Sequence, residues 1–145
     1  MRIGEFRDEY FFLSNFYEVP VEYGGLRYGS AEAAFQAQKC MTEEEKAAFT
    51  SLSPGAAKRK GRRVQLRPDW EQVKIGLMEE IVRAKFTQSE ALRALLLATG
   101  DAALEEGNSW NDTFWGVRLK NGQGRNHLGQ ILMKVRKELR RGEDL

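Results

Sequence analysis

The ten residues AEAAFQAQKC, positions 31 to 40, constrain this chain more tightly than any other stretch. Ala31, Ala33, Ala34, Phe35, Ala37 and Cys40 are small or apolar, which suits a helix enclosed on several sides. Glu32, Gln36, Gln38 and Lys39 are nevertheless threaded through it. At helical spacing Glu32, Gln36 and Lys39 fall at i, i+4 and i+7, one stripe with Phe35 beside it. Ser30 suits the N-cap, so Glu32 sits in the first turn, where free amides and the helix dipole favour an ionised carboxylate. Spacing alone would favour a surface glutamate and a solvated lysine. The small, apolar remainder of the helix argues for burial, where unpaired charges are costly.

With 145 residues the chain is the size of one domain, and a single core over 1–145 is expected. Its 41% hydrophobic and 30% charged residues are ordinary for a globular protein, and the formal net charge of +2 gives no general signal for nucleic acid or membrane. A polyanion contact would have to be local. One cysteine, Cys40, allows no internal disulfide, and no N-terminal apolar run resembles a signal peptide or a span, so the cytoplasm is the default expectation. His127 is the single histidine, and there is no CxxC, HExxH or histidine pair. No metal and no cofactor is expected; a carboxylate-bound magnesium has no signal in the sequence.

The first thirty residues read as strands and loops: an aromatic run Tyr10 to Leu13, then Val19 to Tyr23 and Leu26 to Tyr28 around Gly24-Gly25, a hairpin signal because primed turns need positive φ. Thr42 with Glu45 forms a capping box, and Ser53-Pro54 reads as a cap plus first-turn proline. Asp69 with Gln72 opens the longest helix, with Val73, Leu77, Ile81 and Ala84 as its apolar face and its end near Phe86. Another helix, Glu90 to Ala98, stops at Gly100. Residues 102 to 126 read as short strands and loops, before a last helix with Leu128, Leu132, Val135 and Leu139 on one stripe and a frayed tail from Arg140.

Three further clusters carry candidate chemistry. In NSWNDTFWG, 108 to 116, Asp112 lies between Trp110 and Trp115, and a carboxylate beside aromatic faces can serve as a general acid; a turn aspartate is an equal reading. NGQGRNHLG, 121 to 129, is a glycine-rich run into a helix, where backbone amides can bind phosphate, although the spacing alone favours a plain loop. KRKGRR, 58 to 63, could hold a phosphate or a nucleic-acid backbone, though such a run is more often a solvated helix end. His127 reads as a structural or capping residue.

Five stretches carry a family resemblance: FLSNFYEVPVEYGGLRYGSAEAAFQAQK, SPGAAKRKGRRVQLRPDWEQVK, LMEEIVRAKFTQSEALRALLLATGD, LEEGNSWNDTFWG and GQGRNHLGQILMKVR. In order and spacing they resemble the YbiA-like, or NADAR, family from about Tyr10 to Leu139. The resemblance implies an α+β fold, mostly helical, with a small antiparallel sheet and a cleft. It also implies N-glycosidase chemistry on a phosphorylated riboside of early riboflavin biosynthesis, or on ADP-ribose attached to guanine. A non-catalytic ADP-ribose or nucleotide-binding module is the rival.

Family positions carry over to Glu32, Trp70 and Asp112, with Lys39 of QAQK also matched. Glu32, Asp112 and Lys39 are thus the candidate catalytic residues, expected to surround one sugar carbon. Trp70, Trp115, Asn15, Phe16, Gln36, Arg62, Gly124 and Asn126 are the candidate substrate contacts. The family's histidine after the glutamate is here Ala33, and its tryptophan, proline, threonine run is Tyr28, Gly29, Ser30, departures that bear on substrate choice. On this reading the opening helix is apolar where it packs and polar where it lines a cleft. The oligomeric state has no signal in the sequence.

Overall fold

A computed structural model describes residues 1–142. The element order is β1 (Arg2–Ile3), a 3-10 helix (Asp8–Leu13), β2 (Glu18–Tyr23), β3 (Leu26–Ser30), α1 (Ala31–Ala37), α2 (Glu43–Ala47), α3 (Pro54–Gly61), α4 (Trp70–Thr87), α5 (Glu90–Ala98), β4 (Ala103–Leu104), β5 (Gly107–Asn108), β6 (Val117–Arg118) and α6 (His127–Arg140). The fold is α+β and mostly helical. The chain divides into two compact units, one of residues 15–88 and one of residues 1–14 with the chain from Ser89 onward.

In the unit of residues 15–88, β2 and β3 form the expected antiparallel hairpin, with Val21 opposite Tyr28 and Tyr23 opposite Leu26. Gly24 and Gly25 turn it at φ 60° and 85°, a conformation that costs other residues steric strain. The register slips between Glu18 and Val21, where Pro20 has no N–H to give the ladder. Two side chains tie the hairpin to the middle of α4 and to the residue after its end. Gln88 accepts from Glu22 N through Oε1 and donates to Glu22 O through Nε2, each at 2.8 Å. The Tyr23 hydroxyl donates to Glu80.

β3 runs directly into α1. Ser30, still extended, accepts from Ala33 N at 3.1 Å, and Asn15 O takes the Glu32 N–H at 3.0 Å. Every residue of α1 is buried, and its four alanines let the hairpin, α3 and α4 close on it. The helix is shorter than its pattern suggests. It ends at Ala37, and Gln38, Lys39 and Cys40 continue as tight turns whose amides donate to Phe35, Gln36 and Ala37, which keeps Lys39 near the stripe. Ser30→Ala should cost about 1 kcal/mol in a urea melt by removing the cap at this junction.

The Thr42 and Ser53 caps form as expected, with Thr42 Oγ1 also donating to the Glu45 carboxylate at 2.9 Å. Asp69 corrects the sequence reading. It precedes α4, but its carboxylate takes two hydrogen bonds from Arg67, at 2.6 and 3.1 Å, and caps nothing. The buried face of α4 is Trp70, Met78, Ile81, Val82, Lys85 and Phe86; of the expected Val73, Leu77, Ile81 and Ala84, Ile81 alone is fully covered.

In the other unit the aromatic run at Tyr10 is a 3-10 helix burying Phe12 and Leu13, where strand was expected. β1 pairs with β4 and β5 with β6, both as parallel ladders two residues long. Ser89 caps α5, and Gly100 ends it at φ 62° with its N–H on Leu97 O. α6 buries Leu128, Ile131, Leu132, Val135 and Leu139. Arg140 is held rather than frayed, donating to Asp101 Oδ1 at 2.9 Å and to Gly100 O. The rest of the tail expected to fray, 143–145, lies outside the described residues. Among the described residues no helix is long and apolar enough to cross a membrane.

Candidate active site

The polar stripe of the opening helix is buried. Glu32 is 8% exposed, and its Oε2 accepts from Gln36 Nε2 at 2.6 Å, a charge-assisted bond one helical turn away. Trp70, the first residue of α4, lies with its ring 5.1 Å from that of Phe35 and tilted by 51°. The Lys39 ammonium sits 5.8 Å from the Trp70 ring centroid, within cation–π range. Burial pushes the Lys39 amine below the usual lysine range; the Glu32 charge opposes that fall, and Arg62, Lys58 and Lys74 reinforce it. The structure therefore brings together Glu32, Gln36, Lys39, Trp70 and Arg62 of the expected set.

Two expected contacts from the same unit have other duties. Asn15 is buried with its side-chain Nδ2 on Met78 Sδ at 3.3 Å and its carbonyl on Glu32 N, so it holds the start of α1 and does not offer its amide to a ligand. Phe16 is half-buried, with Lys58 Nζ 5.6 Å from its ring centroid.

The KRKGRR run divides into two groups. Lys58 and Arg62 act electrostatically on Lys39, whereas Arg59, Lys60 and Arg63, with Ala56 and Val64, line a surface hollow of about 350 Å³. Arg62, Arg63 and Val64 follow the end of α3, where the amides of Arg62 and Arg63 donate to Arg59 O and Lys60 O in tight turns.

Lys85 is a buried group that the sequence reading missed. It is 1% exposed, with its ammonium 5.6 Å from the Tyr17 ring centroid and 5.0 Å from that of Phe86, and burial pushes it down to about 7. The signal was present in the pattern. Position 85 follows Met78, Ile81 and Val82 by seven, four and three, on the buried stripe of α4.

Asp112, Trp115, Gly124 and Asn126 belong to the other unit. Asp112 Oδ1 accepts from the amides of Phe114 and Trp115 at 3.1 and 2.9 Å, a local turn, and Asn108 clamps its backbone from both sides. Trp115 meets Phe114 edge-on at 4.8 Å, and Phe114 lies 4.5 Å from the His127 ring.

The phosphate cradle expected at the glycine-rich junction is corrected. The amides of Arg125, Asn126, His127 and Leu128 already donate to the carbonyls of Thr113, Gly116, Phe114 and Trp115, so those four donors are taken. Asn126, at φ 53°, donates to Leu104 O and accepts from Glu106 N, pinning the strands before it. Gly124 is glycine because a Cβ there would lie 2.3 Å from Gly116 O. Both are scaffold residues. Among the described residues no cluster of three or more His, Cys, Asp or Glu side chains is placed to hold a metal ion.

A family model described as the NADAR domain matches residues 3–140. N-glycosidase YbiA of Escherichia coli (strain K12) is 42% identical over 135 residues, covering 91% of this chain and 83% of that protein. An N-glycosidase of Nostoc punctiforme is 38% identical over 134 residues, covering 88% and 85%. A riboflavin biosynthesis protein of Vibrio vulnificus is 42% identical over 132 residues, which cover 88% of this chain but 35% of that longer protein. The NMR structure of E. coli YbiA matches with a TM-score of 0.85 at 38% identity, over 99% of this chain and 86% of that one. With a family model and relatives both spanning nearly its whole length, the chain is a member of the NADAR domain family.

Proposed function

We propose that this protein is an N-glycosidase that hydrolyses the bond between ribose C1 and nitrogen in a phosphorylated riboside, such as an early intermediate of riboflavin biosynthesis. The observation that carries the reading is a buried carboxylate, Glu32, held by Gln36 on a helix that also leads to a half-buried amine, Lys39, over the Trp70 ring. Relatives with the names N-glycosidase and riboflavin biosynthesis protein support it.

The chemistry follows from charge. As the C1–N bond lengthens, its electron pair leaves with the base and C1 becomes cationic. A fixed carboxylate in a low-dielectric site stabilises that cation far more than water would, and Glu32 takes this role. Water then adds its oxygen to C1 and gives a proton to Glu32. The departing nitrogen must gain a proton, which a general acid or water supplies as the bond breaks. Trp70 offers a face for the base, and Lys58 and Arg62 supply cations for the phosphate. Lys39, made less basic by burial, is suited to add to an opened sugar aldehyde; borohydride during turnover would fix any such imine as a mass gain on Lys39.

The test is chromatography of free base from a ribosylaminouracil 5′-phosphate, run beside guanine-linked ADP-ribose on DNA. We expect base from the first, with a weak dependence on salt. The outward cations Arg59, Lys60 and Arg63 favour a second reading, removal of ADP-ribose from nucleic acid, which predicts turnover of the DNA substrate falling steeply with salt. Ligand-induced stabilisation without base from either substrate would leave a binding module.

A further inference from the structure

The side chain that holds Glu32 is itself confined. Gln36 is buried at 6% exposure, and once its Nε2 donates to Glu32 its orientation is fixed, because turning the amide over would set its oxygen against the carboxylate. Its Oε1 is then a buried acceptor with no hydrogen-bond partner. A buried orphan of this kind is rare in folded proteins and calls for a reason.

The space that this oxygen fills is left by α3. Gly61, the last residue of that helix, is buried, and a Cβ built on it would lie 1.9 Å from Gln36 Oε1 and 2.8 Å from Gln36 Cδ. Gly61 has no positive φ that would demand glycine, and within a helix alanine is the better residue. Only space explains glycine here.

Resting on the assignment of Glu32 to the reaction, we propose that Gly61 and Gln36 form a positioning pair: the missing side chain on α3 makes the room in which Gln36 clamps the Glu32 carboxylate. Neither residue needs to touch the substrate. An alanine at 61 would meet the far end of a flexible side chain, so the protein folds and Gln36 yields, and its bond to Glu32 is lost. A displacement of about 1 Å at a reacting group lowers turnover on the order of 100-fold.

The experiment measures kcat and KM for base release, with melting temperature, for the full chain carrying Gly61→Ala, Gln36→Met, Gln36→Ala, Gly61→Ala with Gln36→Ala, and Glu32→Gln. Gly61→Ala and Gln36→Met should each lower kcat about 10- to 100-fold with KM within about threefold, and Gly61→Ala should still melt cooperatively, at or below the wild-type temperature. In the Gln36→Ala background Gly61→Ala should cost nothing further, because the clash partner is gone. Wild-type kcat in Gly61→Ala or in Gln36→Met overturns the proposal, as does a double variant whose loss is the product of the single losses. Should Gly61→Ala fail to fold, Gln36→Met, which fills the same volume without a donor, decides alone. Wild-type turnover in Glu32→Gln sinks the parent reading, whereas an inactive Glu32→Gln beside a fully active Gly61→Ala sinks only this inference.

Discussion

Glu32→Gln is expected to lower base release by roughly 10²- to 10⁴-fold, the range seen when a positioned acid or base is removed. The substitution keeps the volume and one acceptor oxygen, so the hydrogen bond from Gln36 Nε2 at 2.6 Å has a partner in the variant. What it removes is the negative charge. In water that charge would matter little to a cation a few ångströms away, but Glu32 is nine-tenths buried, where screening is weak. Melting temperature should stay at or above the wild-type value, because a neutral amide is cheaper to bury than a carboxylate. A fall in kcat with KM unchanged would identify an interaction made only in the transition state.

The largest effect on stability is expected at Lys85. Its folded-state value is pushed down to about 7 by burial, while an unfolded lysine keeps its ordinary value near 10.5. Between those two values the unfolded chain binds more protons than the folded one, so stability rises as pH rises through that window. Below the lower value the penalty is present in full. Lys85→Met should therefore stabilise the protein by an amount on the order of a few kcal/mol at pH 6, with the gain shrinking toward pH 10. Thermal melts of both proteins across that range would show the gap narrowing; parallel curves would contradict the assignment.

Local chemistry made much of the fold legible. Gly24-Gly25 announced the hairpin, Ser30 and Ser53 announced caps that form, and Leu128, Leu132, Val135 and Leu139 all line the buried side of α6. Each signal lies within a few residues of what it specifies. The misses depend on distant partners. The aromatic run at Tyr10 has the composition of a strand but winds into a 3-10 helix, and Arg2–Ile3 pairs with Ala103–Leu104 in a ladder too short to show a period. Asp69 has the right type for a cap, but Arg67 competes for it.

The candidate site divides in the same way. Glu32, Gln36 and Lys39 were readable from one stripe because a helix carries them nearly to the end. The glycine-rich run before α6 looked like an anion cradle because sequence does not reveal that its amides are spoken for by Thr113 to Gly116. Gly61 gave no signal at all. Its role is the space it leaves for a side chain on another helix, which no spacing within α3 encodes.

The central claim is that a buried carboxylate drives cleavage of a ribosyl C–N bond, and single-turnover analysis of both products tests it most directly. With a ribosylaminouracil 5′-phosphate, the wild type should yield free base and ribose 5-phosphate in equal amounts, and Glu32→Gln should be stabilised by the same substrate while yielding neither. Equal product from the two proteins, or binding without product from the wild type, would contradict the account.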